Sequence, residues 1–155
     1  MKTIQLTKGK FAIVDDEDYP QLVRHCWYAQ EAGNGVWYAM RRANVDGKSK
    51  NVSMHRELLN PEHGKIADHA NRNCLDNRRS NLRQASRTQN QANRTANKKN
   101  ASGFKCVTKY RDKFRARINF EGKTRHIGIF STAKEAHAAY VEAAIQVFGE
   151  FARGV

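Results

Sequence analysis

No apolar run in this sequence approaches the roughly 20 residues that cross a bilayer. The opening MKTIQLTKGK also lacks the apolar stretch of a signal peptide, so the expected location is cytoplasmic, without a membrane partner. Cysteine is scarce. Cys26, Cys74 and Cys106 are far apart and form no C-x-x-C pair, which argues against a disulfide framework and a structural zinc knuckle. Apolar residues make up 39% of the chain and mean hydropathy is −0.81, so any core is modest. At 155 residues the chain suits one ordinary domain or two very small ones.

Acidic residues are nearly absent from the middle. Between Arg78 and Arg125 stand fifteen Lys and Arg against two acids, Asp112 and Glu121. The rest of the chain carries thirteen charges of each sign, so the net +13 sits entirely in that stretch. Such concentration marks a footprint for a polyanion. The stretch has no amphipathic helix with bulky apolar residues, which disfavours a membrane surface as that polyanion.

The local signals predict an α+β chain in three parts. Residues 1–60 read as β-rich: TIQLTKGKFAIVD carries short apolar runs broken by Gly9, and GVWYAMRRANVDGKSKNVSMHR is a hairpin turning at Asp46-Gly47. DDEDYPQLVRHCWYA reads as a short helix with capping acids in its first turn. In residues 61–97, KIAD is a strand ending at His69 and NLRQAS a second strand. A polar helix over SRTQNQANRTANKK then opens with the capping box Ser86/Gln89. Arg87, Asn90 and Arg94 would share one face of it. Residues 98–102, within the Asn/Lys-rich TANKKNASG, form the expected linker. In residues 103–155, FKCVTKY, KFRARINF and KTRHIGIF alternate apolar and basic residues at period two, as half-buried strands do. STAKEAHAAYVEAAIQVFG reads as a helix capped by Thr132/Glu135 and stopped at Gly149. A stripe of Ala136, Ala139, Tyr140, Ala143 and Val147 would pack it on the sheet.

The segment DHANRNCLDNRRSNLR, residues 68–83, gathers oxygen ligands and cations around one histidine. Hydrolysis of a phosphodiester needs a base for water and a Lewis acid at the phosphate. His69 suits the base role because its ordinary pKa lies near neutrality, and Asn81 across the hairpin could hold its tautomer. Asp68 and Asn90 would supply hard oxygen ligands, which favour Mg2+ or Mn2+ over zinc. Arg87 could clamp a phosphate oxygen, and Arg78, Arg79, Arg83 and Arg94 are the cations assigned to DNA here. Asn71, Asn73, Asp76 and Asn77 are assigned to closing turns, and His55 to packing rather than chemistry.

MHRELLN followed by DHANRNCLDNRRSNLRQASRTQNQANR resembles the HNH endonucleases of phages and mobile introns, whose active site is a ββα-metal hairpin and helix. The resemblance implies His69 as general base, Asn81 as its orienting residue, and Asp68 and Asn90 as holders of one divalent ion. Asn90 takes the place of the family's last histidine. SGFKCVTKYRDKFRARINFEGKTRHIGIFSTAKEAHAAYVEAA resembles the AP2 DNA-binding domain, a three-stranded antiparallel sheet with one packed helix. Lys105, Lys113, Arg115, Arg117 and Arg125 match its DNA-contacting strands, and Cys106 replaces its usual glycine. Together the resemblances imply a homing-type endonuclease acting on double-stranded DNA in a phage or bacterial host cell, without a small-molecule cofactor. One site per chain favours a monomer that nicks. The rivals are a non-catalytic DNA-binding protein with a degenerate core and an RNA binder. The latter is weakened by the absence of a stacking-aromatic signature.

Overall fold

The computed structural model describes residues 1–94 and 100–152. The chain is α+β and divides into two compact units, Met1–Ala85 and Ser86–Val155, each built on small antiparallel sheets and few helices. Among the described residues no helix is long and apolar enough to cross a membrane.

In the first unit β1 (Lys2–Gln5) pairs with β2 (Phe11–Val14). β3 (Tyr28–Glu31), β4 (Trp37–Val45) and β5 (Lys48–Ser53) form a sheet in that order, and β6 (Ile66–His69) pairs with β7 (Leu82–Ala85). The β4–β5 connection turns at Asp46 and Gly47 with φ of 54° and 72°. Two consecutive left-handed residues match the strand twist, and the Asp-Gly dipeptide tolerates them. The helices α1 (Tyr19–Leu22) and α2 (Met54–Leu59) are short. Val14, Leu22, Trp27, Met54, Leu58 and Leu82 centre the apolar core.

The acids at 15–18 do something other than cap. α1 starts only after them, and Asp18 makes no cap hydrogen bond. Asp18, 4% exposed, instead receives both Nε and an Nη of Arg79 at 2.9 and 2.7 Å, while Asp15 accepts from the Arg79 backbone N–H. A contact 61 residues away has replaced the expected local one.

In the second unit α3 (Arg87–Asn93) opens on the expected capping box: Ser86 Oγ accepts from Gln89 N at 3.2 Å, and Gln89 Oε1 from Ser86 N at 2.7 Å. The helix is shorter than expected. It stops at Asn93, and Arg94 is extended (φ −73°, ψ 152°), so Arg94 leaves the face that Arg87 and Asn90 share. Residues 95–99, part of the expected helix and linker, lie outside the described residues. The chain then forms β8 (Val107–Tyr110), β9 (Lys113–Phe120) and β10 (Lys123–Phe130), with β9 central, and α4 (Ala133–Phe148) packs on them. The buried line of α4 is Ala136, Tyr140, Ala144 and Phe148, one residue every turn. Ala139, Ala143 and Val147 flank it half-buried, so the expected stripe was rotated by part of a turn. Cys106 has φ of 59°, the left-handed conformation that favours glycine.

Candidate active site

His69 closes β6, and register places it opposite Leu82, with Asp68 opposite Arg83. The loop from Ala70 to Asn81 is held by its own amides. Asn71 N donates to Asn81 Oδ1 at 2.9 Å, Asn73 N to Asn71 Oδ1 at 2.8 Å, and Leu75 N to Asn73 Oδ1 at 3.2 Å. Short amide side chains folding back on nearby backbone explain why the sequence is so rich in asparagine here. The edge of β2 then pins the loop: Ile13 N donates to Leu75 O and Asn77 N donates to Ile13 O, both at 2.8 Å.

That pinning sets the partner of the histidine. Asn77 is fully buried, donates Nδ2 to Leu75 O at 3.2 Å, and turns Oδ1 to His69 Nε2 at 3.4 Å. With the amide oxygen accepting, Nε2 carries the proton and the lone pair falls on Nδ1. Asn81, expected in that role, spends its Oδ1 on Asn71 N and its Nδ2 on Asp76 O at 2.7 Å. It shapes the loop. Asn77 was read from sequence as a turn former, and nothing in its spacing distinguishes it from Asn71 or Asn73.

His69 is 4% exposed, and burial pushes its imidazole below the ordinary value, against the upward pull of Asn77, Asp68 and Asp76. A second histidine adjoins it. The His55 ring, from α2, stands edge-on with centroids 4.8 Å apart, and Tyr38 of β4 lies 5.4 and 6.2 Å from the two rings. Burial, then the nearby charges of His69 and Arg56, pushes His55 down to about 3. Its Nδ1 is buried without a hydrogen-bond partner. Sequence reasoning gave His55 to packing; the MHR motif was the signal that it approaches the site.

Asp68, 6% exposed, accepts from Arg83 Nε at 3.0 Å. Among the described residues no group of three His, Cys, Asp or Glu could hold a metal ion. Arg87 and Asn90 stand one turn apart on α3, in the second unit. One hairpin therefore brings together Asp68, His69 and Asn81, with Asn77 and His55 beside them.

An uncharacterized HNH endonuclease of Acanthamoeba polyphaga mimivirus is 30% identical over 151 residues, a match spanning 94% of this chain and 74% of that one. The chain belongs to the HNH endonuclease family. No protein-family model matches it, and no solved structure does. None of these comparisons speaks for an AP2 domain.

In this HNH chain several of the cations assigned to DNA hold carboxylates. Arg78 grips Asp76, which is 2% exposed, through Nε at 2.8 Å and an Nη at 2.7 Å, and holds that carboxyl below the usual range. Arg79 grips Asp18 and Arg83 grips Asp68. Lys105 is turned to the end of α3, where its Nζ donates to Gln91 O at 2.9 Å and to Ala92 O. A cation on terminal helix carbonyls is a C-capping contact.

The second unit's sheet sorts the rest. Residues directly paired across antiparallel strands share a face, so Lys113, Arg115 and Arg117 stand with Tyr110, Thr108 and His126, away from the buried Ala116 and Ile118. The Arg115 and Arg111 guanidinium groups lie 5.0 and 5.7 Å from the centre of the Tyr110 ring. Arg125 is on the other side. It pairs with Ile118 and lies 5.8 Å from the Phe120 ring, because a bulge between His126 and Gly128 adds one residue to β10. One extra residue reverses the facing of all that lies beyond it.

Proposed function

We propose that this chain is a metal-dependent DNA endonuclease that hydrolyses phosphodiester bonds, with His69 as general base. The observation that carries the reading is the His69–Asn77 contact at the end of β6, beside Asp68. Burial favours the neutral imidazole, which is the form able to take a proton from water. The amide keeps the ring in one tautomer and orientation. Water deprotonated by His69 would attack phosphorus as the P–O bond to one sugar oxygen breaks; that oxygen would leave taking a proton from solvent, and the imidazolium would return its own proton to water.

The ion would be Mg2+ or Mn2+, which need only one or two protein oxygens besides substrate phosphate and water; the proposed holders, Asp68 and Asn90, each carry a hard oxygen of that kind. When bound, the ion would supply Lewis acidity at the phosphate. Arg87, exposed one turn before Asn90, would hold a phosphate oxygen. The outer face of the β8–β9–β10 sheet, with Lys113, Arg115 and Arg117, would hold the duplex as an AP2-like module, and a monomer with one site would nick.

One observation favours the rival of a non-catalytic binder: Asp68 is already neutralised by Arg83. A supercoiled plasmid with and without Mg2+ separates the two. Open circles are expected only with Mg2+, and His69→Ala should slow their formation about 10²- to 10⁴-fold while DNA affinity stays near wild type. Wild-type nicking by His69→Ala would sink the assignment.

A further inference from the structure

β3 pairs only with Trp37–Met40, so beyond Met40 the three-stranded sheet narrows to a ribbon of two strands. Register from Arg41↔Val52 to Val45↔Lys48 sorts its side chains onto two faces. On one face stand Arg42, Asn44, Ser49 and Asn51, all exposed and all hydrogen-bonding groups. On the other, Lys50 stands across from the half-buried Ala43, with Val45 and Lys48 beyond, all three exposed. The ribbon is rooted where Arg41 Nε meets Glu57 at 2.7 Å and Val52 is half-buried. Its one acid, Asp46, is spent on the turn.

We propose that this ribbon is a DNA-reading arm that enters the major groove of a duplex with the Arg42–Asn44–Ser49–Asn51 face toward base edges. The inference rests on the nuclease reading above, but on residues that reading does not use. A major groove about 12 Å wide admits a two-stranded ribbon. Arg presents the donor fork that fits guanine, and Asn the donor–acceptor pair that fits adenine. Lys48 and Lys50, on the opposite face, would reach flanking phosphates and supply affinity without sequence information. Lysines also guard exposed strand edges against pairing with other chains. That duty accounts for the lysines and not for a whole face of hydrogen-bonding side chains.

The test uses the full chain without Mg2+, selecting from a pool of random DNA duplexes and measuring affinity for the selected duplex at several salt concentrations. Circular dichroism checks that each variant folds. Arg42→Ala with Asn51→Ala should lose discrimination of about 5- to 150-fold at a few adjacent base pairs. Lys48→Ala with Lys50→Ala should keep the preference and flatten the slope of log K against log salt by about 1.8. Unchanged preference and slope in these variants would overturn the arm. So would equal affinity for an RNA duplex of the same sequence, whose major groove is too narrow to read. The plasmid assay is scored separately: a wild-type chain that selects duplexes but never nicks removes the nuclease reading and leaves the arm standing.

Discussion

The two units differ in how many polar side chains they bury. The first buries Asp18, His55, Asp68, His69, Asp76, Asn77 and Asn81, and satisfies most of them with arginines and amides. The second buries Asn93 of α3 beside an otherwise apolar interior of Val107, Ala116, Ile118, Ala136, Tyr140, Ala144 and Phe148, and turns Lys113 and Arg117 outward. Arginine is common in both, yet its job differs because acids lie within reach in one and not on the sheet face of the other. Where a carboxylate is near, the guanidinium becomes part of the fold. Where none is, it stays on the surface.

The largest expected effect comes from breaking a buried pair in the first unit. Arg83→Met should destabilise the first unit by up to about 3–5 kcal/mol, because it removes one member of a buried ion pair. Urea unfolding measures it, and a loss below about 1 kcal/mol would mean that Arg83 is a surface cation after all. If Asp68 also holds Mg2+, the ion should raise the midpoint of Arg83→Met more than that of wild type.

Next in size is a pH effect from the same burial. Folded His55 titrates at about 3 while the unfolded residue titrates near 6.5, so between these values only the unfolded chain takes the proton. Stability should therefore fall as pH drops below 6.5, by up to about 1.4 kcal/mol per pH unit from this residue. His55→Gln should flatten that slope in unfolding curves taken between pH 7 and 5. An unchanged slope would assign the acid sensitivity elsewhere.

The smallest change in stability is expected in the second unit. Lys113→Ala and Arg117→Ala should each alter unfolding free energy by less than about 0.5 kcal/mol. Each should also reduce the salt slope of DNA binding by about 0.9. Arg125→Ala, on the opposite side of the sheet, should leave the slope closer to wild type. If all three behave alike, facing does not decide which cations meet DNA.

What was legible in the sequence was local. The Asp46-Gly47 turn, the Ser86/Gln89 and Thr132/Glu135 boxes and the alternation along β9 each depend on residues a few positions apart. What was not legible was set by tertiary contact. Asp18 meets Arg79 across 61 positions, and Asn77 is chosen over Asn81 as the partner of His69 because β2 grips the loop at Leu75 and Asn77. The facing of Arg125 was hidden for a subtler reason, since a bulge leaves composition untouched and inverts which way the strand presents itself.

The seam between the units has a consequence for recombination. It falls between Ala85 and Ser86, after the hairpin that carries His69 and before the helix that carries Arg87 and Asn90. A chimera joined at this boundary, where compactness would suggest cutting, imports a foreign residue at each of those two positions along with its new sheet. On the roles proposed for Arg87 and Asn90, retargeting by exchange of modules preserves chemistry only when the crossover comes after Asn93, so that hairpin and helix are inherited as one piece.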